Sequence, residues 1–264
     1  MITLLAESKN MAVPKVSGAI TGRPVECIGT QPRFLKEAAA IADVFASMPV
    51  VEIAERYEVS LPLAAKASKL FYEFHNPLLA ETALKAFTGE VFMGLDVATL
   101  GEKEMEFAYK NVGIISSLYG YLQSSDVINP YRFDYYVENP MTCEKMQDYW
   151  KPRVTAALLR LLKDRDECEV LNLLPEAAAK CIDWSEIRKV AAVCKVSFKT
   201  VADNGKLKTP YSWKVKDLRG KLLREILLTK TDSIADVLQI SIPLPLLTLD
   251  PTISSPLAPV FLTL

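Results

Sequence analysis

Histidine is almost missing from this chain: His75 is the one histidine in 264 residues. That removes most zinc sites and every Ser-His-Asp or Cys-His pair not built on this residue. The five cysteines (Cys27, Cys143, Cys168, Cys181 and Cys194) contain no Cys-x-x-Cys pair and are odd in number. Such spacing argues against a disulfide framework, so reduced and mostly buried thiols are expected, with no structural metal and no cofactor. Gly-x-Gly-x-x-Gly, a Walker lysine loop and a paired-histidine helix are all lacking, which leaves the common nucleotide and metalloprotease signatures without support. Net charge is small too. A formal charge of −1 gives no global attraction to polyanions or membranes, so any nucleic-acid contact has to come from local asymmetry. The first residues, MITLLAESKNM, carry no basic segment and only a short apolar run; neither a secretory leader nor an anchor is read there, and the expected compartment is the cytoplasm.

Apolar residues make up 50% of the chain and charged residues 24%, a composition that buries a core and is far from that of disorder. The element pattern reads as mixed α/β, a single domain with a central mixed sheet surrounded by helices, over residues 1–238. Ile2–Leu5 is a short buried strand. From Gln31 to Leu84 three or four short helices follow one another, with Pro49 and Pro62 at their starts. Val91 and Phe92, between Gly89 and Gly94, read as a short strand between turns. A helix follows in GEKEMEFAYKNV. Met146, Tyr149, Trp150, Val154, Ala157, Leu158, Leu161 and Leu162 recur at three- and four-residue steps, the stripe of an amphipathic helix in which Pro152 lies in the first turn or makes a kink. CEVLNLL and KVAAVCKVSFKTV read as strands, and Asp203-Asn204-Gly205 as a hairpin turn. Lys214–Leu228 reads as an amphipathic basic helix. Residues 239–264 differ in kind, with five prolines and a single charged residue, Asp250. Prolines disfavour strand pairing, and this Pro-rich apolar tail is expected to contribute little to folding.

Several residues invite a functional reading and have a plainer one. His75 falls at an expected helix end, where it serves the last carbonyls. Glu102, Glu104 and Glu106 with Asp96 suit a helix start better than a cation site. The charge distribution says more. Between Lys195 and Arg224 there are nine basic residues against two aspartates. Lys206, Lys208, Lys214, Lys216, Arg219, Lys221 and Arg224, interleaved with Tyr211 and Trp213, are the candidate nucleic-acid contacts, because phosphates require cations and bases stack on aromatic faces. The plain alternative is a solvated hairpin and helix face.

Two stretches carry a resemblance. KAFTGEVFMGL holds Ala86, Phe87, Gly89, Glu90, Val91, Phe92, Gly94 and Leu95; SSLYGYLQSSDVINPYR holds Ser116, Leu118, Tyr119, Gly120, Leu122, Asp126, Ile128, Pro130, Tyr131 and Arg132. In this order they resemble the two motifs of the bacterial peroxide stress protein YaaA family, and Lys9, Tyr149-Trp150, Asn172, the segment Asn204–Lys208 and Arg219-Gly220 extend the similarity over residues 1–234. Gln123-Ser124, Ala177-Ala178 and everything from Gln239 depart from the family pattern, as in a divergent member with an atypical C-terminus. The resemblance implies a cytosolic protein of the hydrogen peroxide response that limits damage from free intracellular iron. It also implies binding of duplex or branched DNA through a positive cleft and a helix-hairpin-helix-like element. That element falls at Val51–Phe74, where the hairpin EVSLP has no glycine and Pro62 lacks a backbone donor.

Asp126 and Arg132 either pair as a latch across their loop or leave Arg132 facing a cleft to hold an anion. Two functions follow. The first is a non-enzymatic nucleic-acid-binding stress protein. The second is an enzyme whose anionic-substrate pocket is lined by Lys9, Tyr131, Arg132 and Asn172.

Overall fold

In the computed structural model, residues 1–13, 29–165, 168–240, 248–249, 254–255 and 257–263 are described. Cys27 lies outside them, as do Pro243, Pro245, Pro251 and Pro256. The chain opens with the fully buried strand β1 (Ile2–Ala6). Three helices follow, α1 (Leu35–Ser47), α2 (Val50–Tyr57) and α3 (Leu61–Tyr72), with Pro49 at the cap of α2 and Pro62 in the first turn of α3, where a missing N–H costs nothing. Phe45 of α1 stacks on Phe71 of α3, and both meet Phe133 edge-on. His75 lies beyond the end of α3, and its Nε2 contacts Asp43 Oδ1 at 2.7 Å; it ties this turn to α1.

Next come β2 (Glu81–Thr82), α4 (Ala83–Ala86), α5 (Glu90–Leu95) and α6 (Glu102–Asn111). The strand expected at Val91–Phe92 is thus a helix. An apolar run this short has no usable period, and tertiary packing decides the outcome: Phe92 points inward while Met93 is exposed. Glu102 and Glu104 occupy the first turn of α6, and Glu104 pairs with Lys230 at 3.2 Å.

Strands β3 (Val112–Ser116), β4 (Gly120–Gln123) and β5 (Val127–Ile128) precede the long helix α7 (Met146–Lys163), which contains Pro152 in its second turn. At the tight bend between β3 and β4, Gly120 has φ +69° and packs against Trp150, whose ring would meet a Cβ at 2.6 Å; only glycine fits on both counts. Strand β6 (Glu169–Asn172) and two short helices, α8 (Glu176–Ala179) and α9 (Trp184–Ile187), lead to β7 (Ala192–Lys195). The central sheet has the order β4-β3-β1-β6-β7, parallel except for the β3–β4 hairpin. Because β1 is flanked by β3 on one side and β6 on the other, the chain departs from it in both directions. Such a switch point leaves a crevice at the carboxyl ends of the strands.

KVAAVCKVSFKTV, expected to form one strand, forms two. Beyond β7 the chain turns at Val196 into β8 (Ser197–Val201), which pairs with β9 (Leu207–Lys208) through the expected turn at Gly205. Helix α10 (Ser212–Thr229) and the short α11 (Ile234–Val237) follow. Gly94 and Gly220 sit where α5 crosses α10, and a Cβ on Gly220 would lie 1.9 Å from Val91 O.

The tail is more ordered than its prolines suggest. β10 (Thr248–Leu249) pairs with β11 (Val260–Thr263), and β11 lies parallel to β8. Prolines exclude strand pairing only where they stand, and residues 260–263 contain none. Phe261 is buried beside Phe198, with ring centroids 6.3 Å apart. Phe261→Ala is expected to lower the unfolding free energy by roughly 1.5 kcal/mol in urea titrations, less than for a central phenylalanine because a small sheet can close over the gap. A change within error would show that β11 is not part of the cooperative fold.

Candidate functional site

The crevice at the carboxyl ends of β1 and β6 is a cleft of about 340 Å³. The chain emerging from β1 supplies Glu7, Ser8, Lys9 and Asn10 to its wall; α5 supplies Glu90, Val91 and Phe92; the segment before α7 supplies Asp134 and Tyr135; α10 supplies Lys216 and Arg219. Residues from opposite ends of the sequence therefore share one cavity.

Glu7 is its most unusual member. It keeps part of its surface open to the cleft, yet its carboxyl lies deep in the fold, and burial pushes it from 4.5 up to about 7. Desolvation disfavours the charged form; the hydrogen bond from Tyr131 opposes the shift without cancelling it. The Tyr131 hydroxyl donates to Glu7 Oε2 and is 2.7 Å from Ser116 Oγ. Ser116 Oγ in turn accepts from the N–H groups of Leu118 and Tyr119. The stretch SSLYGYLQSSDVINPYR is thus closed on itself, its first serine meeting its last tyrosine, and Glu7 is the group on which both converge. Burial, and secondly the Glu7 charge, raise the Tyr131 hydroxyl well above its ordinary value. It stays a donor at neutral pH.

The cations in this region are not equivalent. Lys9 pairs with Asp134. Lys216 pairs loosely with Glu90 at 3.7 Å. Arg219 is half-buried and has no ion-pair partner among the described residues; burial holds its guanidinium below the ordinary value.

Arg132 donates to the carbonyl of Lys9 at 3.2 Å and shapes the cleft from behind. The latch with Asp126 does not form: Asp126 accepts instead from Thr30 Oγ1 at 2.6 Å and from Gln123 N at 2.8 Å. Asn172 is buried, with Oδ1 accepting from Leu174 N at 2.9 Å. It fixes the turn that brings Leu173 to the cleft and does not itself line it. Of the four residues read as a pocket, Lys9 lines the cleft, Tyr131 reaches it through Glu7, and Arg132 and Asn172 support it.

The late basic segment divides. Lys221 pairs with Asp217 at 2.8 Å, and Arg224 donates to the carbonyls of Leu95 and Asp96 at 2.8 and 3.0 Å, closing the end of α5. With Lys216 and Arg219 turned to the cleft, α10 presents no continuous cationic row. The β8–β9 hairpin is different. Lys206 and Lys208 have no ion-pair partner among the described residues, and Lys199 Nζ contacts Thr209 Oγ1 at 3.0 Å. Lys208, Tyr211, Trp213 and Lys214 line a second cleft of about 440 Å³. Tyr211 is 78% and Trp213 58% exposed.

The described residues hold no group of three His, Cys, Asp or Glu that could bind a metal ion. No helix among them is long and apolar enough to cross a membrane. Among the described residues four thiols are free; Cys181 and Cys194 are buried, Cys168 partly so, and Cys143 is exposed.

The profile of the family described as peroxide stress protein YaaA matches residues 1–243. The chain belongs to the peroxide stress protein YaaA family. It is 32% identical over 212 residues to a UPF0246 protein of Flavobacterium johnsoniae, covering 79% of this chain and 82% of the relative. A UPF0246 protein of Bacteroides fragilis is 30% identical over 237 residues, covering 89% and 88%. One from Parabacteroides distasonis is 29% identical over 204 residues, covering 75% and 78%. Membership in the YaaA family supports a role in peroxide stress. The family-like stretches of this chain build both the wall of the first cleft and the support of Glu7. Glu7 escapes sequence reasoning because a lone acid after a strand has no pattern, and its partners lie more than a hundred residues away. The one available signal is the pairing of Ser116 and Tyr131 within a single motif.

Proposed function

We propose that this protein acts in the peroxide response without catalysis, by binding nucleic acid through the β8–β9 hairpin and the start of α10, and so limits iron-driven damage at the DNA. The observation that supports this reading is the exposure of Tyr211 and Trp213 among lysines that pair with no carboxylate among the described residues. A flat aromatic ring in water is a stacking platform for an unpaired base, worth about 1–3 kcal/mol per base, and adjacent cations follow the backbone. The expected ligand is therefore branched or partly single-stranded DNA in preference to continuous duplex.

Fluorescence anisotropy of labelled duplex and branched DNA across a salt series tests it. In the variant Lys206→Gln/Lys208→Gln/Lys214→Gln, the log–log salt slope on duplex should fall by about 0.9 for each phosphate that no longer meets a cation. Trp213→Ala should weaken the branched ligand more than the duplex. Unchanged slope and affinity in the triple variant, or no binding by the wild type at low salt, would overturn the reading.

A further inference from the structure

We propose that the cleft at the carboxyl ends of β1 and β6 is a site for a small organic monoanion with an apolar body, bound by Arg219, and that the protein takes up a proton on Glu7 as the ligand binds. The charge inventory selects the ligand. Lys9 is held by Asp134 and Lys216 faces Glu90, so Arg219 is the cleft cation left without a carboxylate among the described residues. One uncompensated guanidinium suits one negative charge, and its fork matches a carboxylate in bidentate fashion. Leu5, Val91, Phe92 and Leu173 contribute the apolar part of the wall. A volume of about 340 Å³ is at the small end of ligand pockets.

Glu7 supplies the proton coupling. When ionised it puts a second negative charge into the cavity and works against an incoming anion. When protonated it is neutral and can donate. Its other neighbours do not titrate in the same range for this purpose: Tyr131 and Tyr135 are raised well above their ordinary values, chiefly by burial, and burial likewise pushes the Cys181 thiol up. With the Glu7 carboxyl near 7, binding of an anion draws a proton onto it from neutral solution. By linkage, affinity rises as pH falls.

The test is calorimetric titration of the full chain with benzoate, phenylacetate, inorganic phosphate and a mononucleotide, at about pH 6 and about pH 8.5, in two buffers of different ionisation heat. For at least one aryl carboxylate, affinity should be about tenfold higher at the lower pH, with net proton uptake near neutrality. Glu7→Gln should bind with little pH dependence, and Arg219→Gln should lose binding while retaining the wild-type melting profile. If Arg219→Gln does not fold, Arg219→Lys takes its place and should bind at least tenfold more weakly, because one ammonium cannot reproduce the fork. Binding equal at both pH values, binding that survives loss of the guanidinium, stronger binding of phosphate or nucleotide than of the carboxylates, or no saturable binding by any probe would each overturn the proposal.

Discussion

At pH 8, Glu7→Gln is expected to be more stable than the wild type, by about 3 kcal/mol. The folded protein holds the Glu7 carboxyl near 7, against 4.5 ordinarily, so between these values the folded chain binds a proton that the unfolded chain releases. A raised carboxyl contributes its full share of stability below about pH 4.5 and loses it as pH rises through about 7; above that, the folded state carries a buried charge that water would solvate better. Glutamine keeps an oxygen to accept from Tyr131 and carries no charge. Chemical denaturation of both proteins from about pH 5 to pH 8.5 should therefore show the curves diverging as pH rises, the wild type falling more steeply. Parallel curves would mean that Glu7 is solvated well enough to ionise normally.

The same residue marks the limit of what the sequence discloses. Helix α7 is visible in its apolar stripe, and α10 in its alternation of leucines with lysines, because each element carries its own period over several turns. The turn at Gly205 is visible because one residue type answers one backbone conformation. α5 is not visible: six residues are too few to show a period, and its helical state depends on α10, more than a hundred residues later. The site follows this division. Lysines concentrated in one segment can be counted, but counting does not tell which of them face a carboxylate. Lys216 and Lys221 do, Arg224 serves carbonyls, and Lys206 and Lys208 remain open. The tail misleads in the opposite sense, since its prolines describe their own positions and not the strand that follows the last of them.

Gly220→Ala is expected to destabilise the fold by about 3 kcal/mol, the upper end of overpacking costs. On an exposed helix the exchange would stabilise by up to about 1 kcal/mol, since alanine is the better helix former, so the sign of the effect reports the packing. The added Cβ would stand 1.9 Å from Val91 O and 2.8 Å from Leu95 N. Relief requires α5 to withdraw from α10, which would break the bonds from Arg224 to Leu95 and Asp96 and move Val91 and Phe92 in the cleft wall. Urea unfolding measures the loss. A stability equal to or above that of the wild type would show that the two helices do not cross this closely in solution.

β1 has a consequence for the order of assembly. It lies in the middle of the central sheet, and its two partners begin at Val112 and Glu169. The helices α1 to α3 can gather around Phe45 and Phe71 early, from neighbouring sequence. β1 cannot; both of its edges stay open until chain from two distant regions has arrived, and each closure costs the entropy of a long loop before any hydrogen bond offsets it. Until then its apolar side chains and unpaired backbone are available to any other strand. The strand that delivers Glu7 to the cleft is thus the one that the folding chain secures late, and the cleft exists only once the whole sheet has closed around it.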